Sequence, residues 1–384
     1  MKIFTAAALW LIVAFSILTM WIPDSWQLST AEIGVFAVTA VLLTACVAGW
    51  GKVTLSPLLV PLAAIVLWGL LQLGMGESVY AWRTKVAVLY WAANASVFFC
   101  ALQAFADSGI RRRLVEALVF FGFAIAVVSA VQQLDAAHRV FWLFEPPPNL
   151  IPQFGPFPYQ NQYAAFVELL LPVAIFRAMT EQRRGLFHGL VVAVLYASVI
   201  AAGSRMGFFL ATAELAGVPA IALWRGRVSF NRLRGPALAF AGMVAMLAAA
   251  AGPGVLVKKF ETKDPYAGRR EFSEASLQMV KDRPLLGFGL GTWSTVYPGY
   301  AKSDDGLFAN QAHNDWGQWA AEGGLPFAAL LLSVAVWATR RAWRSIEYLG
   351  VTAVFIHCLV DYPIQRIGVA LVMFILLAAL EESK

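Results

Sequence analysis

The sequence predicts an all-α polytopic membrane protein of about twelve transmembrane helices with one large outer loop. Three observations predict it. Apolar residues make up 60% of the 384 and charged residues only 14%, and mean hydropathy is +0.67, far above soluble domains at roughly 45–50% apolar. The apolar residues form long continuous runs, as bilayer-crossing helices of about 20 residues require, without the period-two alternation of barrel strands. Basic clusters punctuate alternate gaps between the runs: Arg111-Arg112-Arg113, Arg183-Arg184, then Arg225, Arg227, Arg232 and Arg234, then Arg340, Arg341 and Arg344.

In chain order the runs place spans at 4–22, 31–50, 56–75, 86–106, 114–133, 160–178, 187–203, 206–224, 236–252, 313–338, 346–362 and 366–381. The first follows Lys2 but has no small-x-small site before Pro23, so it reads as a retained span and not a signal peptide. Counting Lys and Arg in the gaps puts both termini in the cytoplasm, the loop bearing Arg83 and Lys85 being the exception among short outer links. The chain then divides into 1–252 with spans one to nine, an outer loop with short helices at 253–312, and 313–384 with spans ten to twelve. A second outer segment, Asp135 to Gln160, holds Glu145-Pro146-Pro147-Pro148 and Phe154-Gly155-Pro156-Phe157-Pro158-Tyr159, expected to lie at the headgroups as an interfacial anchor. The absence of an internal repeat removes support for a repeat-built transporter. Cys46, Cys100 and Cys358 all lie inside apolar runs and read as packing residues, neither a disulfide framework nor a zinc cluster. The net charge of +6 is therefore a matter of topology, not of nucleic acid.

The 253–312 loop carries Lys258, Lys259, Lys263, Arg269, Arg270, Lys281, Arg283 and Lys302, cations available to an anionic ligand, since long loops translocate regardless of charge. Arg269 and Arg270 precede an apolar-rich helix, where a guanidinium fork suits diphosphate oxygens; spacing alone does not choose between the two. Arg205 follows the Gly203-Ser204 turn, and a helix beginning there adds the positive end of its dipole. His313 opens span ten beside Asn314, with Gln318 and Glu322 further along one face, and imidazole is the side chain suited to taking a proton near neutral pH. His357 and Asp361 form an i,i+4 pair of ionisable residues near the outer end of span eleven, where such groups are costly. Gly287-Phe288-Gly289-Leu290-Gly291-Thr292 lacks the βαβ setting of a dinucleotide fingerprint and reads as a turn after Pro284. Asp304-Asp305 has no partners at ligand spacing, so neither metal nor other cofactor is expected. An outer site needs a donor already activated there, which a lipid-linked diphosphate supplies; arginines can stabilise its departing charge while a base activates an acceptor hydroxyl.

At these residues the chain resembles the O-antigen ligase and polymerase superfamily. The resemblance rests on Gln160-Asn161-Gln162-Tyr163-Ala164, Gly203-Ser204-Arg205, Gly268-Arg269-Arg270-Glu271-Phe272, Asp282-Arg283-Pro284-Leu285-Leu286-Gly287-Phe288-Gly289, and His313-Asn314 separated by nine residues from Gly324. Phe327 and Ser273 depart from the pattern. The resemblance implies a glycosyltransferase C-type membrane fold in the bacterial inner membrane, with its site on the periplasmic face. It implies a lipopolysaccharide-building transfer from an undecaprenyl-diphosphate-linked glycan, with Arg205 and Arg269 on the diphosphate and His313 activating the acceptor. Arg270, Asn161, Asn314, Gln318, Glu322, His357 and Asp361 complete the candidate substrate-binding set. The late single loop and the His-Asn-x9-Gly spacing favour ligation to lipid A core over polymerisation. An anion transporter would need ionisable residues on both sides of the bundle, and a scaffold would leave Arg205, Arg269 and His313 without a shared task.

Overall fold

The structure is a computed structural model that describes every residue except 24, 50–52, 134–138, 147–153, 182, 231–239, 242–266, 303–305, 307 and 383–384. Helices α1 (Lys2–Leu18), α2 (Trp26–Val47), α3 (Leu59–Gly74), α4 (Ala81–Phe105), α5 (Ser108–Gln132), α6 (Gln160–Thr180), α7 (Gly185–Ala202) and α8 (Arg205–Trp224) come first. After them come α9 (Ala267–Asp282), the single turn α10 (Trp293–Val296), α11 (Asp315–Arg344), α12 (Leu349–His357) and α13 (Ile367–Glu382). No strand occurs among the described residues, only the isolated bridges Val140↔Phe144 and Phe154↔Phe157.

Among the described residues seven helices, α2, α4 to α8 and α11, are long and apolar enough to cross a membrane, so the chain is a multi-pass helical membrane protein. The expected span at 236–252 lies, apart from Phe240 and Ala241, outside the described residues, as does Asp304-Asp305. Two helices form the hub. In α6 every residue from Gln162 to Ile175 is buried, and in α13 every residue from Ile367 to Leu380; helices apolar on all sides belong in the interior of a bundle. Around them α6 packs on α7, α8 and α12, and α13 on α4.

Several expectations need correction. The run at 346–362 is not one long helix: a 3-10 turn and α12 cover 346–357, about 18 Å at 1.5 Å per residue against a hydrocarbon core of about 30 Å. The chain then turns through 358–366 within the fold, which sinks Asp361 among the helices (2% exposed). Arg83 and Lys85 belong to the first turns of α4 and not to a loop. The 154–159 segment is no headgroup anchor: Phe154 and Phe157 are buried and pack on Tyr163 and Phe166 of α6. Aromatic burial against the hub outweighs the interface preference there.

Helix α11 is broken. Gly324 has φ 74° and ψ 177°, a left-handed backbone suited to glycine, and a Cβ there would sit 2.1 Å from the Leu285 carbonyl oxygen. The break, reinforced by Pro326, frees carbonyls that need partners away from water. They are met from the turn after α9 and from α3: Phe288 N donates to Ala321 O, Gly289 N to Glu322 O, Gln72 Nε2 to Glu322 O, and Trp68 Nε1 to Gly323 O. The Pro-Leu-Leu-Gly-Phe-Gly turn is thus docked on the break and carries α9 across the top of α11.

Candidate active site

Three of the residues singled out in the sequence, Asn161, Arg269 and His313, converge on a fourth, Asp361, at the face of the bundle that bears α9. Asp361 Oδ2 accepts from Arg269 Nη2 at 3.1 Å and from Asn161 Nδ2. Asp361 Oδ1 accepts from Tyr362 N at 2.8 Å and lies 3.6 Å from His313 Nδ1. Arg269 Nη1 also donates to Val360 O at 2.7 Å, so the guanidinium spans backbone and carboxylate in a fork. The Asp361 side chain is 3% exposed, while Arg269 and His313 are 27% and 28% exposed. A buried anion therefore anchors a cation and an imidazole that both stay partly exposed.

Each element delivers its residue for a local reason. Gly203, at φ 74°, ends α7 in the left-handed cap; Ser204 then caps α8 by accepting from Gly207 N. Arg205 is the first helical residue after it. Ser204 Oγ also donates to Asn161 Oδ1 at 2.7 Å, which fixes the Asn161 amide so that its nitrogen faces Asp361. His313 has φ 50°, unusual for a residue with a Cβ and costly unless the surroundings enforce it. That turn lets Asn314 cap α11 through Gly317 N at 3.0 Å.

Helix α9 is held over the site by its own small core, where Ala275 and Met279 pack with Phe288, Trp293 and Tyr297. Trp293 Nε1 donates to Ser276 Oγ at 2.9 Å. On its solvent side Lys302 pairs with Glu274, which lowers the carboxyl and raises the ammonium from their ordinary values. Tyr300 donates to Asp282 Oδ2, and burial together with that hydrogen bond pushes its phenol up to about 12.

A cleft of about 400 Å³ opens on His313, walled by Tyr159, Glu271, Phe272, Tyr297 and Tyr362. Phe272 lies nearly parallel to the imidazole at 6.2 Å, with Tyr362 edge-on at 4.8 Å and Tyr159 at 6.4 Å. A second cleft of about 140 Å³, lined by Arg83, Tyr90, Trp91, Gln318, Glu322 and Gln365, shares Ser294, Asn310 and Gln311 with the first. The two recesses adjoin, and His313 lines the larger of them.

The remaining candidates divide. Arg270 is exposed, and its charge acts on Glu274. Asn314 is an N-cap. Glu322 accepts from Gly291 N, Trp293 N and Gln318 Nε2 and braces the loop. Gln318 Nε2 also lies 2.6 Å from the side-chain oxygen of Gln311 and 3.1 Å from that of Gln365. His357 turns away from Asp361 and bonds Glu168 through Nδ1 at 2.9 Å. Sequence reading missed Tyr159, Tyr362 and Phe272; Phe272 stands three residues after Arg269 and Tyr159 two before Asn161, so helical spacing and adjacency were the available signals.

Fold and site together define a multi-pass helical membrane protein with a charged, aromatic-walled site under a loop helix. Residues 189–332 match the model of the family described as O-antigen ligase. That match agrees with the motif resemblance to the O-antigen ligase and polymerase superfamily. No curated protein matches the chain.

Proposed function

We propose that this protein transfers a glycan from an undecaprenyl-diphosphate carrier to an acceptor hydroxyl, lipid A core being the acceptor, on the periplasmic face of the bacterial inner membrane. The observation that carries the reading is the meeting of Arg269 and His313 on the buried Asp361, with His313 lining a cleft that adjoins a second one. With Nδ1 facing Asp361, His313 carries its proton there and leaves Nε2 to take the proton of the acceptor hydroxyl. The acceptor oxygen forms its bond to the anomeric carbon as the bond from that carbon to the diphosphate oxygen breaks. The electron pair leaves on the diphosphate, which Arg269 and Arg205 stabilise in place of water. The aromatic walls offer faces for sugar rings, and two recesses suit two substrates. A single displacement inverts the anomeric configuration.

The test is product analysis with purified protein in liposomes, lipid-linked donor and lipid A core, with EDTA present. Core bearing the glycan supports ligation, and lengthened chains on the carrier support the polymerase of the same superfamily. If the donor binds and neither product forms, the transfer reading fails and anion transport is to be measured.

A further inference from the structure

Glu168 of α6 and His357 of α12 form a buried pair, both side chains 0% exposed, with Nδ1 2.9 and 3.1 Å from the two carboxylate oxygens. Nothing in the proposed chemistry uses it. Ionisable groups inside a bundle are costly and a buried ion pair gives little net stability compared with apolar packing, so the pair calls for a positional role. His357 is the last residue of α12, and its carbonyl accepts from Val360 N and Asp361 N at 3.0 and 3.1 Å. The next turn presents the Val360 carbonyl and the Asp361 carboxylate to Arg269. Asn161 and Glu168 are seven residues apart, two turns along one face of α6, and both hold this segment: Asn161 by the Asp361 side chain, Glu168 by His357. Gly350 lets the helices close, since a Cβ there would lie 2.0 Å from the Glu168 carbonyl oxygen.

We infer that Glu168 and His357 are positioning residues for transfer, a clamp that fixes the turn carrying Asp361 and thereby the aim of Arg269 and His313. The inference rests on the proposed transfer for its kinetic readout, and a second readout is independent of it. In Glu168→Ala, kcat falls about 10²-fold, the scale of a misplacement near 1 Å, with KM for the donor little changed. Glu168→Gln, which still accepts the Nδ1 proton, recovers most of the rate, and Glu168→Ala/His357→Ala loses no more than the worse single variant. Hydrogen–deuterium exchange of amides 358–365 accelerates in Glu168→Ala and returns in Glu168→Gln, whether or not the protein transfers glycan. Unchanged exchange there in folded Glu168→Ala overturns the clamp. So does an activity loss that only tracks the amount of folded protein. Wild-type protein that transfers nothing, while exchange behaves as stated, overturns the transfer reading and leaves the clamp standing.

Discussion

The two ends of α6 each carry a knot of charge, and they differ in one respect. At the carboxyl end Glu181 meets Arg112 at 2.8 Å and Arg177 at 3.4 Å, and Arg112 also reaches Glu116, but the Arg112 side chain is 56% exposed. At the amino end Asn161 meets Asp361, which holds Arg269 and faces His313, and the shared carboxylate is 3% exposed. The first is a water-facing cluster whose ion pairs are each worth about 0–1 kcal/mol. The second commits a carboxylate to the interior and is worth building only if its geometry matters. Charge density does not distinguish a site from a topology signal; burial with convergent partners does.

The largest expected break comes at the buried end: His313→Ala loses about 10²–10⁴ of the transfer rate, as removal of a general base does. Arg269→Ala loses about 10²–10³ through lost leaving-group stabilisation, while its neighbour Arg270→Ala stays within a few-fold; initial rates on equal folded protein check both. Next, Asp361→Ala leaves Arg269 without its buried partner and costs about 3–5 kcal/mol, read by unfolding in detergent. Gly324→Ala follows at about 1–3 kcal/mol, because the left-handed backbone and the Leu285 carbonyl leave no room for a Cβ. Smallest is Arg112→Ala at the other end of α6, within about 1 kcal/mol and shrinking with salt.

Much of the frame was legible in the sequence because it depends on local chemistry. The turn at Gly203-Ser204 and the start of α8 at Arg205 follow from a left-handed cap and an N-cap serine, and the glycine-rich turn follows from Pro284. The site was legible only as separate parts. Asn161, Arg269, His313 and Asp361 come from four distant segments, and what joins them is the docking of a broken α11 under α9, which no local spacing encodes. The i,i+4 pair His357 and Asp361 misleads for the same reason: α12 ends at His357, so the two side chains point to different partners. Phe154 and Phe157 read as interfacial because their partners on α6 are identified only by the fold.

The measurement closest to the central claim is the rate of glycan transfer from the lipid-diphosphate donor by wild type, His313→Ala, Arg269→Ala and Arg270→Ala, all folded and in the same liposomes. The account predicts that the first two substitutions each slow transfer by at least about 10²-fold and that the third leaves it nearly intact. Transfer at the wild-type rate by His313→Ala or Arg269→Ala would contradict it.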